Sequence, residues 1–184
     1  MEPSKLRPVE VIEFGDLREV RGGISHAVRL PAHVAHRQAN SAREYLVKAG
    51  GVKVPIDIAV ETYEQGRDPH LGPGSGIVLW AVSSKGLIKG ADALGERGGK
   101  PAEVVGEEAA RNLLENLRSG MALDEHMGDM VIPYMALAGG GVVGVSKITL
   151  HALTNIYIVE RVLGVRFEVS GKEGEPGIIK VLHS

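Results

Sequence analysis

At 184 residues, with 43% apolar side chains and a formal net charge of -2, the chain is long enough to bury one or two cores. It has no broad cationic field that would hold nucleic acid by phosphate attraction alone. Zero cysteines exclude disulfides, thiolate zinc sites and a cysteine nucleophile. No apolar run approaches the ~18 residues needed to span a bilayer, and the start "MEPSKLRPVE" lacks the apolar segment of a signal peptide, so no membrane partner is expected and the cytoplasm is the expected location.

In chain order, residues 9 to 14 ("VEVIEF") and 18 to 30 ("REVRGGISHAVRL") alternate apolar and polar side chains, the period of a strand, and Gly22-Gly23 predicts a bulge or bend. Pro31 suits a first helical turn. Val34, Ala35, Gln38, Ala42, Tyr45 and Leu46 then recur at helical spacing until Gly50-Gly51. "VKVPIDIAVET" (52 to 62) alternates again, "DPHLGPGSG" is a loop, and "SGIVLWAVSS" (75 to 84) is apolar enough for a buried strand. After "KGLIKGADALGERGGK", Pro101 opens a second helix with Val105, Ala109, Leu113 and Leu117 on one stripe, ended by Gly120. This order predicts an α+β layer of mixed sheet with helices packed on one face, closing near residue 118.

The remaining third is more apolar and punctuated by glycine, and it predicts a second module. A helix is expected at 124 to 138, then "GGGVVGV" (139 to 145), a strand to about 150, a helix from Asn155 to Leu163, and strands at "VRFEV" and "GIIKVL". The glycine-rich stretches at 72 to 76 and 138 to 145 have neither the P-loop lysine nor a GxGxxG opening a helix, so turns are expected there.

Two places in this module suggest chemistry. On the helix "DEHMGDMVIPYMALAG", Met127, Val131, Tyr134, Met135 and Ala138 share one arc, the expected core stripe, and His126, Asp129, Met130 and Pro133 share a neighbouring one. Pro133 has no N–H, so the carbonyl of Asp129 loses its intrahelical partner and the helix should bend. His151 stands where the β-rich stretch gives way to a helical stripe of Ile156, Val159 and Leu163, with Thr154 or Asn155 as the expected cap. A side chain at such a junction points to a sheet edge, beside a helix N-terminus that favours developing negative charge. A solvated His126 and Asp129, and a His151 packed as a hydrogen-bonded ring, remain the alternatives. His33 and His36 are too few for a metal site and fit a solvated helix face.

Taken together, "LDEHMGDMVIPYMALAGGG" and "LHALTNIYIVERVLGVRFEV" resemble the C-terminal part of the RNA 3'-terminal phosphate cyclases. "RGGISHAVRLPAHVAHRQANSARE", "GPGSGIVLWAVSS" and "GADALGERGGKPAEVVGEEAARNLLENLRSG" resemble the domain inserted in the same family. The resemblance implies a remnant strand of a larger catalytic domain at 1–9, the inserted α+β domain at 10–118, and the C-terminal part of the catalytic domain at 119–184.

It also implies a reaction. His151 would attack the α-phosphate of ATP to form a histidine–AMP adduct, AMP would pass to an RNA 3'-phosphate end, and the 2'-hydroxyl would close a 2',3'-cyclic phosphate. A neutral imidazole suits that role near pH 7. His126, Met127, Gly128, Asp129 and Met130 match the nucleotide-binding segment, His126 against the adenine and Asp129 on the nucleotide or orienting His151. Where the family commonly carries Gln, this chain has Met130, without a polar group.

Mg²⁺ or another divalent cation would offset charge on the triphosphate, and no residue here is assigned to it. Family members are much longer at the N-terminus, in a region that contributes acidic and arginine residues to metal and triphosphate. Pairing with that N-terminal region, or self-association, is therefore expected. The alternatives are a non-catalytic cyclase-like protein of ribosome assembly, against which the presence of His151 and Asp129 argues, and a folded fragment without turnover.

Overall fold

The computed structural model describes residues 5–28, 30–63, 67, 72–95 and 98–182. Expectations for residues 1–4 and for the loop at 68–71 lie outside the described residues. In chain order the elements are β1 (Val9–Val11), β2 (Leu17–Val28), α1 (His33–Lys48), β3 (Ile56–Ile58), β4 (Gly74–Ser83), β5 (Ile88–Gly95), α2 (Ala102–Arg118), α3 (Glu125–Ala138), β6 (Gly141–Val145), α4 (Leu150–Leu163), β7 (Arg166–Ser170) and β8 (Gly177–Leu182). The chain divides into a continuous unit, Asp16–Glu115, and a split unit, Met1–Gly15 with Asn116–Ser184. The fold is α+β, with mixed sheets and helices.

The continuous unit has a four-stranded sheet in the order β3-β2-β4-β5. β3 is parallel to β2 and the other pairs are antiparallel. The 52 to 62 stretch yields only the three-residue edge strand β3, because Pro55 has no N–H for a ladder. Its carbonyl still accepts from Val20 N at 2.9 Å. A register shift in β2 follows Gly23, close to the expected bulge. β4 is buried on one face only, with Val78 exposed on the other, so it is an ordinary half-buried antiparallel strand and not a fully buried one. β5 was not legible in "KGLIKGADALG": its inward positions include Lys89, wholly buried, and its outward ones include Ile88 and Leu94. That inverts the apolar alternation. Helices α1 and α2 approach closely at Gly106, where an added Cβ would lie 2.2 Å from the Gln38 carbonyl oxygen.

In the split unit the sheet order is β1-β6-β8-β7, with β1 parallel to β6 and the remaining pairs antiparallel. Ile132, Met135, Val143, Val145, Ile148, Ile156, Ile179 and Val181 form its core between the sheet and α3 and α4. The glycines at 139 to 145, expected to be turns, belong instead to a helix end and a strand. Gly139 closes α3 in the left-handed conformation at φ 72°, and Val142 to Val145 are the central strand β6. The buried stripe of α3 is also rotated from the one expected. Gly128, Ile132, Met135 and Ala136 face inward, while Met127 and Tyr134 are 46% and 60% exposed. The side without a Cβ is the one that lets the helix approach β6, since a Cβ on Gly128 would sit 2.8 Å from Val145 Cγ1.

Candidate functional site

The loop from β6 to α4 sets the site. After Val145 the chain turns through Lys147 and Ile148, and Thr149 takes an extended backbone whose Oγ1 accepts from Ala152 N at 2.9 Å. This is an N-cap, so α4 starts at Leu150, five residues before the expected start, and neither Thr154 nor Asn155 is its cap. Ile148 and Leu150 look strand-like in sequence, but the buried stripe that counts is Ala152, Ile156 and Val159, at helical spacing. His151 therefore stands in the first turn of a helix, and its side chain is 88% exposed. It is not a packed ring.

Across from it, α3 begins at Asp124, whose carboxylate accepts from Met127 N at 2.8 Å. Asp129 lies one turn further along and is buried, with 9% of its surface exposed. The hydroxyl of Thr149 donates to its Oδ1, and Oδ2 lies 3.7 Å from His151 Nδ1. That separation exceeds a hydrogen bond, and it sets the carboxylate beside the Nδ1 edge of the ring. Pro133 removes the usual intrahelical donor to the Asp129 carbonyl. The side chain of Asn155, one turn after His151 on α4, donates to that carbonyl through Nδ2 at 2.9 Å. Thr149 and Asn155 thus tie one residue of α3 to α4 at two points.

An open cleft of about 390 Å³ lies over this pair, lined by Glu125, His126, Asp129, residues 147 to 151, Glu173 and Gly174. His126 is exposed, with Nε2 3.9 Å from Glu125 Oε1, and Lys147 Nζ is 3.1 Å from Glu125 Oε2. Of the sequence-predicted residues, His126, Asp129 and His151 are brought together. Met127, Gly128 and Met130 do not line the cleft: Gly128 faces β6, and Met127 and Met130 are exposed elsewhere on α3. Sequence reasoning missed Thr149, Lys147 and Asn155. A threonine three residues before an alanine that opens a buried stripe is the signal for the first, and Pro133 four residues after Asp129 is the signal for the last.

Among the described residues no three His, Asp or Glu side chains converge to hold a metal ion. Nor, among them, is any helix long and apolar enough to cross a membrane. His33 and His36 are exposed on the first turns of α1.

The geometry defines a class first: an α+β protein with a solvent-open imidazole held against a tethered carboxylate at a helix start. Residues 12–118 match the family model described as RNA 3'-terminal phosphate cyclase (RTC), insert domain. A protein of Methanopyrus kandleri named RNA 3'-terminal phosphate cyclase is 57% identical over 183 residues, covering 98% of this chain and 51% of its own length. Proteins of the same name from Staphylothermus marinus and Thermococcus kodakarensis are 52% and 53% identical, covering 97% and 100% of this chain and 49% and 51% of their own lengths. The chain belongs to the RNA 3'-terminal phosphate cyclase family, and it spans about half the length of these curated relatives.

Proposed function

We propose that this chain carries the nucleophile of an ATP-dependent RNA 3'-phosphate cyclising activity, with the rest of the site supplied by the part of the protein that the relatives have beyond the matched half. The observation that carries the reading is the exposed His151 ring with its Nδ1 facing the Asp129 carboxylate at 3.7 Å. A carboxylate on Nδ1 favours the proton there and leaves the Nε2 lone pair turned outward, the tautomer a nucleophilic imidazole needs.

In the proposed sequence His151 Nε2 forms a bond to the α-phosphorus of ATP, and the bond to pyrophosphate breaks. An oxygen of the RNA 3'-phosphate then displaces the imidazole, taking AMP. The adjacent 2'-hydroxyl attacks the 3'-phosphorus and gives its proton to solvent or to the departing AMP, closing the cyclic phosphate and expelling AMP. The free N–H groups at the start of α4 and the Lys147 ammonium suit the negative charge of the phosphates, and His126 suits contact with the adenine. The described residues offer no cradle for a divalent cation, so in this reading Mg²⁺ travels with the triphosphate and takes any protein ligands from the remainder of the protein. Tyr134, Leu137, Leu150, Tyr157 and Val162, exposed on α3 and α4, give that remainder an apolar surface to cover.

The test is incubation with ATP labelled in the α-phosphate, using this chain alone and mixed with the part of the Methanopyrus kandleri relative outside the matched half. Acid-labile, alkali-stable label that appears in the mixture and vanishes in His151→Ala is expected. Label that persists in that variant sinks the assignment.

A further inference from the structure

We infer that Asn155 is a positioning residue, acting on His151 through the main chain of Asp129. The inference rests on the reading of Asp129 and His151 as a working pair, and it adds how that pair is held. In an uninterrupted helix the carbonyl of Asp129 accepts from the N–H four residues on. That residue is Pro133, inside α3, with no N–H. The donor comes instead from another helix: Asn155 Nδ2 reaches the carbonyl at 2.9 Å.

The consequence is geometric. Asp129 is gripped twice from α4, at its carbonyl by Asn155 and at its Oδ1 by the Thr149 hydroxyl. His151 stands on the same helix between the two grips. Main chain and carboxylate of Asp129 are therefore both fixed in the frame of the nucleophile, and Oδ2 is the oxygen left to face Nδ1. With the side-chain grip alone, α3 can rotate or slide against α4 while Thr149 keeps hold of a flexible carboxylate, and Oδ2 leaves the imidazole. At 3.7 Å a sub-ångström displacement decides whether an N–H to oxygen bond forms at all. The proline and the asparagine thus work as one device: the first vacates a carbonyl inside a helix and the second converts the vacancy into a link between the carboxylate and the histidine helix. A carbonyl already bonded within its own helix would hold such a link less strongly.

The device makes a reciprocal prediction. In Pro133→Ala the residue at 133 has an N–H, which satisfies the Asp129 carbonyl within α3 and holds the Asp129 main chain in helical register. That N–H competes with Asn155 for the carbonyl, so the link to α4 weakens and Asn155→Ala has less left to remove.

The readout is the tautomer ratio of the neutral His151 ring, taken from long-range proton–nitrogen correlation spectra of the ¹⁵N-labelled chain on the alkaline side of its titration. This readout needs neither ATP nor RNA. Glu125, His126, Lys147 and Glu173, the other ionisable groups lining the cleft, are unchanged in every variant. The wild type is expected to favour the proton on Nδ1. Asn155→Ala shifts the ratio toward Nε2–H by about two- to threefold, the low end for an attraction longer than a hydrogen bond. In the Pro133→Ala background, Asn155→Ala adds little further shift. A packing role for Asn155 lowers the melting temperature without moving this ratio.

A biased wild type whose bias survives Asn155→Ala overturns the role of Asn155 and leaves the reading of His151 and Asp129 standing. A wild type without bias overturns that reading and this inference with it. If Asn155→Ala shifts the ratio as far in the Pro133→Ala background as in the wild type, the carbonyl link is wrong. Should Asn155→Ala fail to fold, the comparison of Pro133→Ala with the double variant decides: equal ratios are expected, and a double variant shifted toward Nε2–H overturns the inference.

Discussion

Thr149 is where the cap of α4 and the tether of Asp129 meet in one hydroxyl, so its removal has a calculable cost. Thr149→Ala deletes the acceptor for Ala152 N, 2.9 Å away, a loss of about 1 kcal/mol for an N-cap. It also deletes the donor to Asp129 Oδ1, and hydrogen bonds to charged groups contribute about 1.5–3 kcal/mol. The Asp129 side chain keeps 13% exposure, so water recovers part of that loss and the low end applies, giving about 2.5 kcal/mol in all. Thr149→Ser keeps both bonds and should cost under about 1 kcal/mol. The only tryptophan, Trp80, lies in the continuous unit. Its fluorescence reports on that unit, so for the split unit the measurement is urea-dependent hydrogen exchange of the amides of Ala152, Leu153 and Ile156. A double-mutant cycle of Thr149→Ala with Asp129→Ala should show about 1 kcal/mol or more of coupling. Additive losses, or a serine variant as damaged as the alanine one, would refute the claim that the hydroxyl holds the carboxylate.

Two further predictions concern the continuous unit. Gly106→Ala gains helix propensity, but its Cβ would stand 2.2 Å from the Gln38 carbonyl oxygen and 3.0 Å from Ala42 N. These are backbone atoms, so α1 and α2 must part, and a net loss of about 1–3 kcal/mol is expected by thermal melting followed at Trp80; a stabilised variant contradicts the close approach. Glu103 accepts from Arg37 Nε and Nη2, and the hydrogen bond to that guanidinium, followed by one from its own backbone, lowers its pKa from 4.5 to about 2. The folded pKa lies below the unfolded one, so the pair's contribution is present above about pH 4.5 and is lost as pH falls toward about 2. A carbon-detected NMR titration should find the carboxylate near the low value, moving back toward 4.5 in Arg37→Ala, and no movement would undo the assignment.

What the sequence disclosed and what it hid follow from which forces act locally. Helices α1 and α2 are legible because wide apolar stripes are bounded by Pro, Gly and charge, β7 because its alternation is clean, and β8 because it is a short apolar run rich in β-branched residues. The start of α4 is not legible from periodicity, because Ile148 and Leu150 mimic a strand and the decisive interaction is a side-chain cap. The face of α3 is misjudged because hydrophobicity places Met127 and Tyr134 inside, whereas the close fit of Gly128 to Val145 turns the helix. β5 is hidden by a buried lysine and exposed aliphatics, a pattern fixed by pairing with β4 along its whole length. Within the site, the vacancy at the Asp129 carbonyl follows from Pro133 alone. That Asn155 fills it depends on how two helices pack, which no local pattern encodes.

The charge lining the cleft bears on whether these residues suffice for the proposed chemistry. Glu125, Asp129 and Glu173 are carboxylates, and Lys147 is the one ammonium or guanidinium group among the described lining residues, already 3.1 Å from Glu125. A triphosphate brings several negative charges, and the start of α4 offers roughly half a positive charge against them. Repulsion from three carboxylates exceeds that attraction, so on these groups alone the cleft admits a neutral nucleoside more readily than a nucleotide. The proposed binding of ATP at His151 therefore demands cations from outside this set, on the remainder of the protein and travelling with the nucleotide. An exposed imidazole beside a carboxylate, with little positive charge around it, fits the proposal that the other cations of the site lie outside these residues. On the same reasoning, nucleotide affinity in the mixed sample should exceed that of this chain alone by far more than any gain for a nucleoside. Equal gains for both would mean that the added segment supplies shape and not charge.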